Sequence, residues 1–167
     1  ERKRSLGDLG RLGAVPVGMP IPTVAQNISK GIIDGTASDW NVLYAFRIVD
    51  ITRYHYLGML GTVPIGVIMS KKIWNSLPAG AQAAFDKYSG EALARRNGKV
   101  NIKVQTALEA KTRKNPKHVF VDLDPVATKK WADTVNPVID QWAGKHPKGK
   151  ILLQALKKEL AAIRAGM

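Results

Sequence analysis

The chain contains no cysteine, so disulfides, thiolate metal centres and thiol nucleophiles are all excluded. Long apolar runs are missing too. The longest, such as residues 63–69, fall well below the ~20 residues that a membrane-crossing helix requires. Acidic residues are scarce, 13 against 26 Lys and Arg, which leaves a formal net charge of +13. Such a balance permits binding to nucleic acid, to an anionic surface or to anionic small molecules. The three histidines, His55, His118 and His146, are isolated from one another, and no HExxH, GxSxG or phosphate-loop pattern occurs. His55 lies in an alternating run and reads as a hydrogen-bonded structural histidine. His118 and His146 sit beside the loop sequences "NPK" and "PKGK" and read as solvated. Asp122 and Asp124 flank a strand end, where capping of the next helix accounts for Asp124. No enzyme, metal site or cofactor is expected from these residues.

What the chain does have is enough length, 167 residues, to bury roughly 70% of its unfolded surface in one core or in two small lobes. The opening "ERKRSLGDLG" has the charge of a leader's first segment but no apolar stretch after it, and reads as the start of a mature or partial chain. "GAVPVGMP" (13–20) reads as a short strand stopped by proline. In "PTVAQNISKG", Thr23 and Gln26 form a capping-box pattern and Gly31 supplies a left-handed stop. "IIDGTAS" (32–38) reads as a second strand, completing a minimal β-α-β unit. Ser38 or Asp39 caps a helix whose apolar stripe is Trp40, Leu43, Tyr44 and Ile48. "ITRYHYLG" and "VPIGVIM" read as two further strands.

Ser70 then caps the short helix "KKIWNS", which Pro78 ends or restarts. From Pro78 to about Arg113 the pattern stays helical. Unbroken, it would extend about 54 Å at 1.5 Å per residue, so it either breaks near Gly90 or Gly98 or runs between two lobes. "HVFVDL" (118–123) is a strand. The helix from Pro125 carries Trp131, Val135, Val138 and Trp142 and kinks at Pro137. A last helix, 150–165, places Ile151, Leu152, Leu156, Leu160 and Ile163 on one side. Alternating strands and helices define a mixed α/β sheet with flanking helices. Basic residues cluster at 95–117 and 145–158, mostly on polar helix faces, where they read as solvated surface; no nucleic-acid partner is expected.

A binding protein needs a cleft, a few placed polar groups and usually an aromatic wall. The segment from Thr36 through Ser38 to Trp40 offers these groups, with Ile21 at the matching end of the neighbouring strand. Trp40 alone reads equally well as a pocket wall or as core packing.

"LGAVPVGMPIPTVAQNISKGIIDGTASDWNVLYAFRIVDITRYH" resembles the second-lobe core of the DctP-type substrate-binding proteins of TRAP transporters. "MSKKIWNSLPAGAQAAFDKYSGE" is similar to that family's Asn-Lys-x-x-Trp/Tyr-x-x-Leu-Pro passage into a long helix, with Ser70 in the Asn place. The resemblance covers nearly all of the chain from Leu12 onward. It implies a periplasmic-binding-protein-like α/β fold with a mixed sheet and a long connecting helix. Residues 1–77 would form the second-lobe core, 78–117 a helical crossover, and 118–167 the strand and helices that return to the second lobe. The implied function is a periplasmic receptor that captures a small organic acid for TRAP permease subunits.

By position in the family, Ile21 corresponds to a pocket-wall residue. Thr36 and Ser38 correspond to polar ligand-contacting groups and Trp40 to a ring that stacks on the ligand. The loop from Met59 to Thr62 corresponds to one end of the pocket, and His55 to a recurring histidine. Family members are about twice as long, and most of their first lobe lies before the matched region. The carboxylate-clamping arginine of the family precedes it as well, and no residue here is matched to it; "RSLGD" places Arg4 a few residues downstream. Without the first lobe, the long helix is expected to fold back, to dimerise through its apolar face or to be held by neighbouring molecules in a crystal. Two alternatives to the receptor reading stay open, a basic interaction module and an inactive fragment. A tryptophan wall suits aromatic or branched-chain carboxylates better than small dicarboxylates.

Overall fold

The computed structural model describes residues 9–58 and 65–166, which form two compact units. One holds residues 19–57 and 65–121; the other holds residues 9–18, 58 and 122–166. The first unit runs α1 (Ile21–Ser29), α2 (Trp40–Ala45), β1 (Tyr54–Tyr56), α3 (Lys71–Ser76), α4 (Ala79–Tyr88), α5 (Gly90–Arg113) and β2 (Val119–Val121). The second contributes α6 (Pro125–Val135), α7 (Pro137–Lys145) and α8 (Gly149–Ala165). No described helix is long and apolar enough to cross a membrane.

Helix ends follow local chemistry closely. α1 closes in a Schellman motif: the Ile32 N–H reaches the Asn27 carbonyl at 2.9 Å, the Gly31 N–H reaches that of Ile28 at 3.0 Å, and Gly31 takes φ +67°. Its start differs from the capping-box expectation. The helix begins at Ile21 behind Pro20, and the Thr23 hydroxyl donates to the Pro20 carbonyl at 2.7 Å. Pro22, already set at helical φ, starts the first turn earlier than Thr23 could cap it.

Side-chain caps open α2, α3 and α6. Asp39, Ser70 and Asp124 accept from the N–H groups of Val42 (3.1 Å), Ile73 (3.3 Å) and Ala127 (2.8 Å). The long helical stretch breaks once. Ser89 is extended and Gly90 adopts φ +60°, a left-handed value that costs glycine least, so α4 ends and α5 begins there while Gly98 stays helical. Pro137 lacks an N–H and divides α6 from α7 at Asn136.

The sheet is smaller than expected. It holds two parallel strands, β1 and β2, paired Tyr54 to Val119, His55 to Phe120 and Tyr56 to Val121. Residues 13–20, 32–38 and 65–69, each read as a strand, are irregular, so the β-α-β unit and the mixed sheet do not form among the described residues. A strand is stable only when neighbours pair its backbone and cover a face. These segments pair with no described strand, and their apolar side chains face solvent, Val15 at 89% and Ile68 at 93% exposure. Residues 63 and 64 lie outside the described residues.

The first unit's core is Val24, Trp40, Ile48 and Val49 with His55 and Thr112. Ile48 and Val49 are delivered inward by Arg47, whose φ of +55° turns the chain out of α2 and whose guanidinium is held by Asp50 at 2.8 Å. In the second unit, α7 and α8 pack closely enough that a Cβ on Gly149 would lie 2.5 Å from the Ala143 carbonyl oxygen and 2.7 Å from its Cα. Gly149→Ala, ordinarily favourable in a helix, is therefore expected to destabilise the protein by about 1–3 kcal/mol through backbone displacement. A lowered melting temperature and reduced helical circular dichroism are the readouts.

Candidate functional site

Asp39 and Trp40, the last two residues of the segment that begins at Thr36, are held by α5. The Gln105 side-chain amide makes a two-pronged contact: its Oε1 accepts from the Trp40 N–H at 2.9 Å, and its Nε2 donates to Asp39 Oδ1 at 3.0 Å. One turn earlier Asn101 accepts from Asn41 Nδ2 at 3.1 Å. Two turns later the Thr112 hydroxyl lies 3.0 Å from that of Tyr44. The Thr112 proton goes to the Leu108 carbonyl at 2.8 Å, so Tyr44 donates and Thr112 accepts. Lys111 places its ammonium 5.1 Å from the centre of the Tyr44 ring.

Trp40 is 8% exposed and packs into an aromatic cluster. Its ring centre is 5.3 Å from that of His55 on β1 and 5.9 Å from that of Phe120 on β2. The Arg113 guanidinium covers Phe120 at 4.0 Å. His55 Nε2 and His118 Nδ1 are 3.0 Å apart, one donating and the other accepting. The parallel register brings them together, so His118 is half-buried rather than solvated as expected from its loop sequence. His146 is exposed, as expected, with its ring beside Trp142.

The other expected site residues fall in different surroundings. Ile21 is the first residue of α1 and is exposed. Thr36 and Ser38 are exposed in the irregular segment that leads into α2. Met59 and Thr62 lie outside the described residues. A groove of about 560 Å³ between α7 and α8, lined by Ile139, Trp142, Leu153 and Leu156, involves none of them. No group of three or more metal-ligating side chains is present among the described residues. The residues that the sequence reading missed are Gln105, Thr112 and Phe120. Gln105 and Thr112 stand seven residues apart beside Leu108, and polar groups repeating on an otherwise apolar helix stripe are the available signal.

Paired parallel strands flanked by helices, with an aromatic cluster packed against them, define the first unit as an α/β fold. The chain belongs to the bacterial extracellular solute-binding protein family 7, whose DctP family model matches residues 8–145. That family serves transport rather than catalysis. The chain is 25% identical over 136 residues to the C4-dicarboxylate-binding periplasmic protein DctP of Rhodobacter capsulatus, a match covering 81% of this chain and 40% of that protein. It thus spans well under half the length of that relative.

Its fold is that of TRAP solute-binding proteins. A structure from Rhodoferax ferrireducens T118, in complex with copurified benzoate, superposes with a TM-score of 0.81 at 24% identity, covering 97% of this chain and 54% of that one. A marine metagenome protein specific for aromatic acid ligands, in complex with metahydroxyphenylacetate, superposes at 0.82 with 22% identity over 95% of this chain and 52% of that one.

Burial lowers the His55 pKa below its ordinary value of 6.5, and the neighbouring His118 lowers it further. The folded protein thus resists a proton that the unfolded chain accepts. The stability tied to this cluster is fully present above about pH 6.5 and is lost as pH falls below it. The melting temperature is expected to fall between neutral pH and pH about 5, and His55→Gln to flatten that dependence relative to the parent protein.

Proposed function

We propose that this chain is the ligand-holding part of an extracytoplasmic TRAP receptor, which captures an organic carboxylate in the periplasm and delivers it to membrane permease subunits. The observation that carries the reading is the family match over residues 8–145. Aromatic carboxylates are the favoured class, because two solved proteins with this fold hold benzoate and metahydroxyphenylacetate. A C4-dicarboxylate, the ligand named for the Rhodobacter capsulatus relative, is the competing class.

In this reading the exposed hydroxyls of Thr36 and Ser38 donate to the carboxylate, and Ile21 offers apolar wall. Trp40 sets the position of the segment from beneath through its packing on His55 and Phe120.

Thermal melts with benzoate, hydroxyphenylacetate, branched-chain 2-oxo acids and C4-dicarboxylates test the proposal. An aromatic acid at 100 times its dissociation constant should stabilise by ~2.7 kcal/mol. Replacing Thr36→Ala and Ser38→Ala together should weaken that ligand by more than about tenfold, since each hydrogen bond to a charged group contributes about 1.5–3 kcal/mol. The melt without ligand should stay unchanged, because both side chains are exposed. A melt that no acid moves would overturn the receptor reading for this chain.

Self-association through the helical crossover accompanies the proposal, since Tyr88, Val100 and Ile102 are exposed along α4 and α5. Light scattering that reports a strict monomer would remove that part.

A further inference from the structure

We propose that one face of α5 docks on a membrane surface containing anionic lipid headgroups. The helix and its C-cap carry Arg95, Arg96, Lys99, Lys103 and Lys114, all exposed. At 3.6 residues per turn, these side chains fall within a sector of roughly 100°. They extend about 28 Å along the axis at 1.5 Å per residue. The residues that grip α2, Asn101, Gln105 and Thr112, lie on the roughly opposite side, so the basic stripe faces away from the unit's own packing.

Arg95 is partly neutralised by Glu91 at 2.6 Å, while Arg113 is turned away from the stripe onto Glu109 at 2.8 Å and the Phe120 ring. Arg96, Lys99, Lys103 and Lys114 make no ion pair among the described residues. Small side chains, Ala92, Thr106 and Ala110, fill the stripe between the cations.

This composition distinguishes among anionic partners. Protein interfaces concentrate their energy in buried aromatic or other large anchors, and the stripe has none. A planar anionic leaflet requires only cations repeated along a straight rod, each within a Debye length of the headgroups. The chain's net charge of +13 adds long-range attraction of the same sign. The inference rests on the extracytoplasmic receptor reading, which brings the chain to a membrane, but lipid binding and ligand binding are measured separately.

The test is cosedimentation of the full chain with phosphatidylcholine vesicles, with and without phosphatidylglycerol, at low and at physiological ionic strength. The stripe variant combines Arg96→Gln, Lys99→Gln, Lys103→Gln and Lys114→Gln. The matched control combines Lys145→Gln, Lys150→Gln, Lys157→Gln and Lys158→Gln, which removes equal charge from exposed positions in the other unit. Thermal melts verify that both variants fold.

Salt-sensitive binding to the phosphatidylglycerol vesicles alone is expected, weakened on the order of a thousandfold in the stripe variant and largely kept in the control. Equal weakening in both variants would overturn the proposal in favour of net charge. Absence of vesicle binding at low ionic strength would also overturn it, and would leave the stripe to an acidic protein surface. Ligand-induced shifts in the melting temperature report on the receptor reading independently of either result.

Discussion

The grip of Gln105 on Asp39 and Trp40 is the contact on which the first unit's arrangement depends. A single side-chain amide satisfies one backbone donor at the start of α2 and one carboxylate oxygen that also caps that helix. It thereby joins α5, the longest helix, to the segment that bears the candidate ligand groups. With α2 held in that place, Trp40 is carried onto His55 and Phe120, and the cluster bridges the two strands. Short strands of three residues gain little from their own ladder, so lateral packing of this kind supplies much of what keeps them paired.

α5 separates two tasks on two sides of one rod. Its inward side uses neutral amides and hydroxyls, Asn101, Gln105 and Thr112, each with a partner. Neutral groups lose far less than ions when water is removed, provided each hydrogen bond is made. Its outward side carries the ammonium and guanidinium groups, where solvent screens them and a partner of opposite sign can still reach them. Between these sides, the cations of Lys111 and Arg113 rest on the rings of Tyr44 and Phe120.

Membership in a family of transport receptors fits a chain whose polar groups serve packing and presentation. Its histidines illustrate the point. His55 and His118 spend their ring nitrogens on one another beneath Trp40 instead of opening onto a substrate. The exposed Thr36 and Ser38 stand just before Asp39 and Trp40, the two residues that Gln105 holds.

Local signals were legible wherever the structure depends on a few adjacent residues. The caps at Asp39, Ser70 and Asp124, the glycine stops at Gly31 and Gly90 and the break at Pro137 all follow from backbone chemistry within one turn. The motifs around residues 12–55 and 69–91 likewise carried the family. Three of the expected strands were not decided locally, because an apolar alternating run becomes a strand only when another segment pairs with it. The same holds for the site. Composition left Trp40 balanced between wall and core, and its burial was decided by β1, β2 and α5 arriving from up to 80 residues away. Sequence alone thus determined most helix ends and the kinship, since both are written in short stretches. Tertiary structure alone decided which strands pair, which histidines meet and which helix holds Asp39 and Trp40, since each depends on residues brought together only by folding.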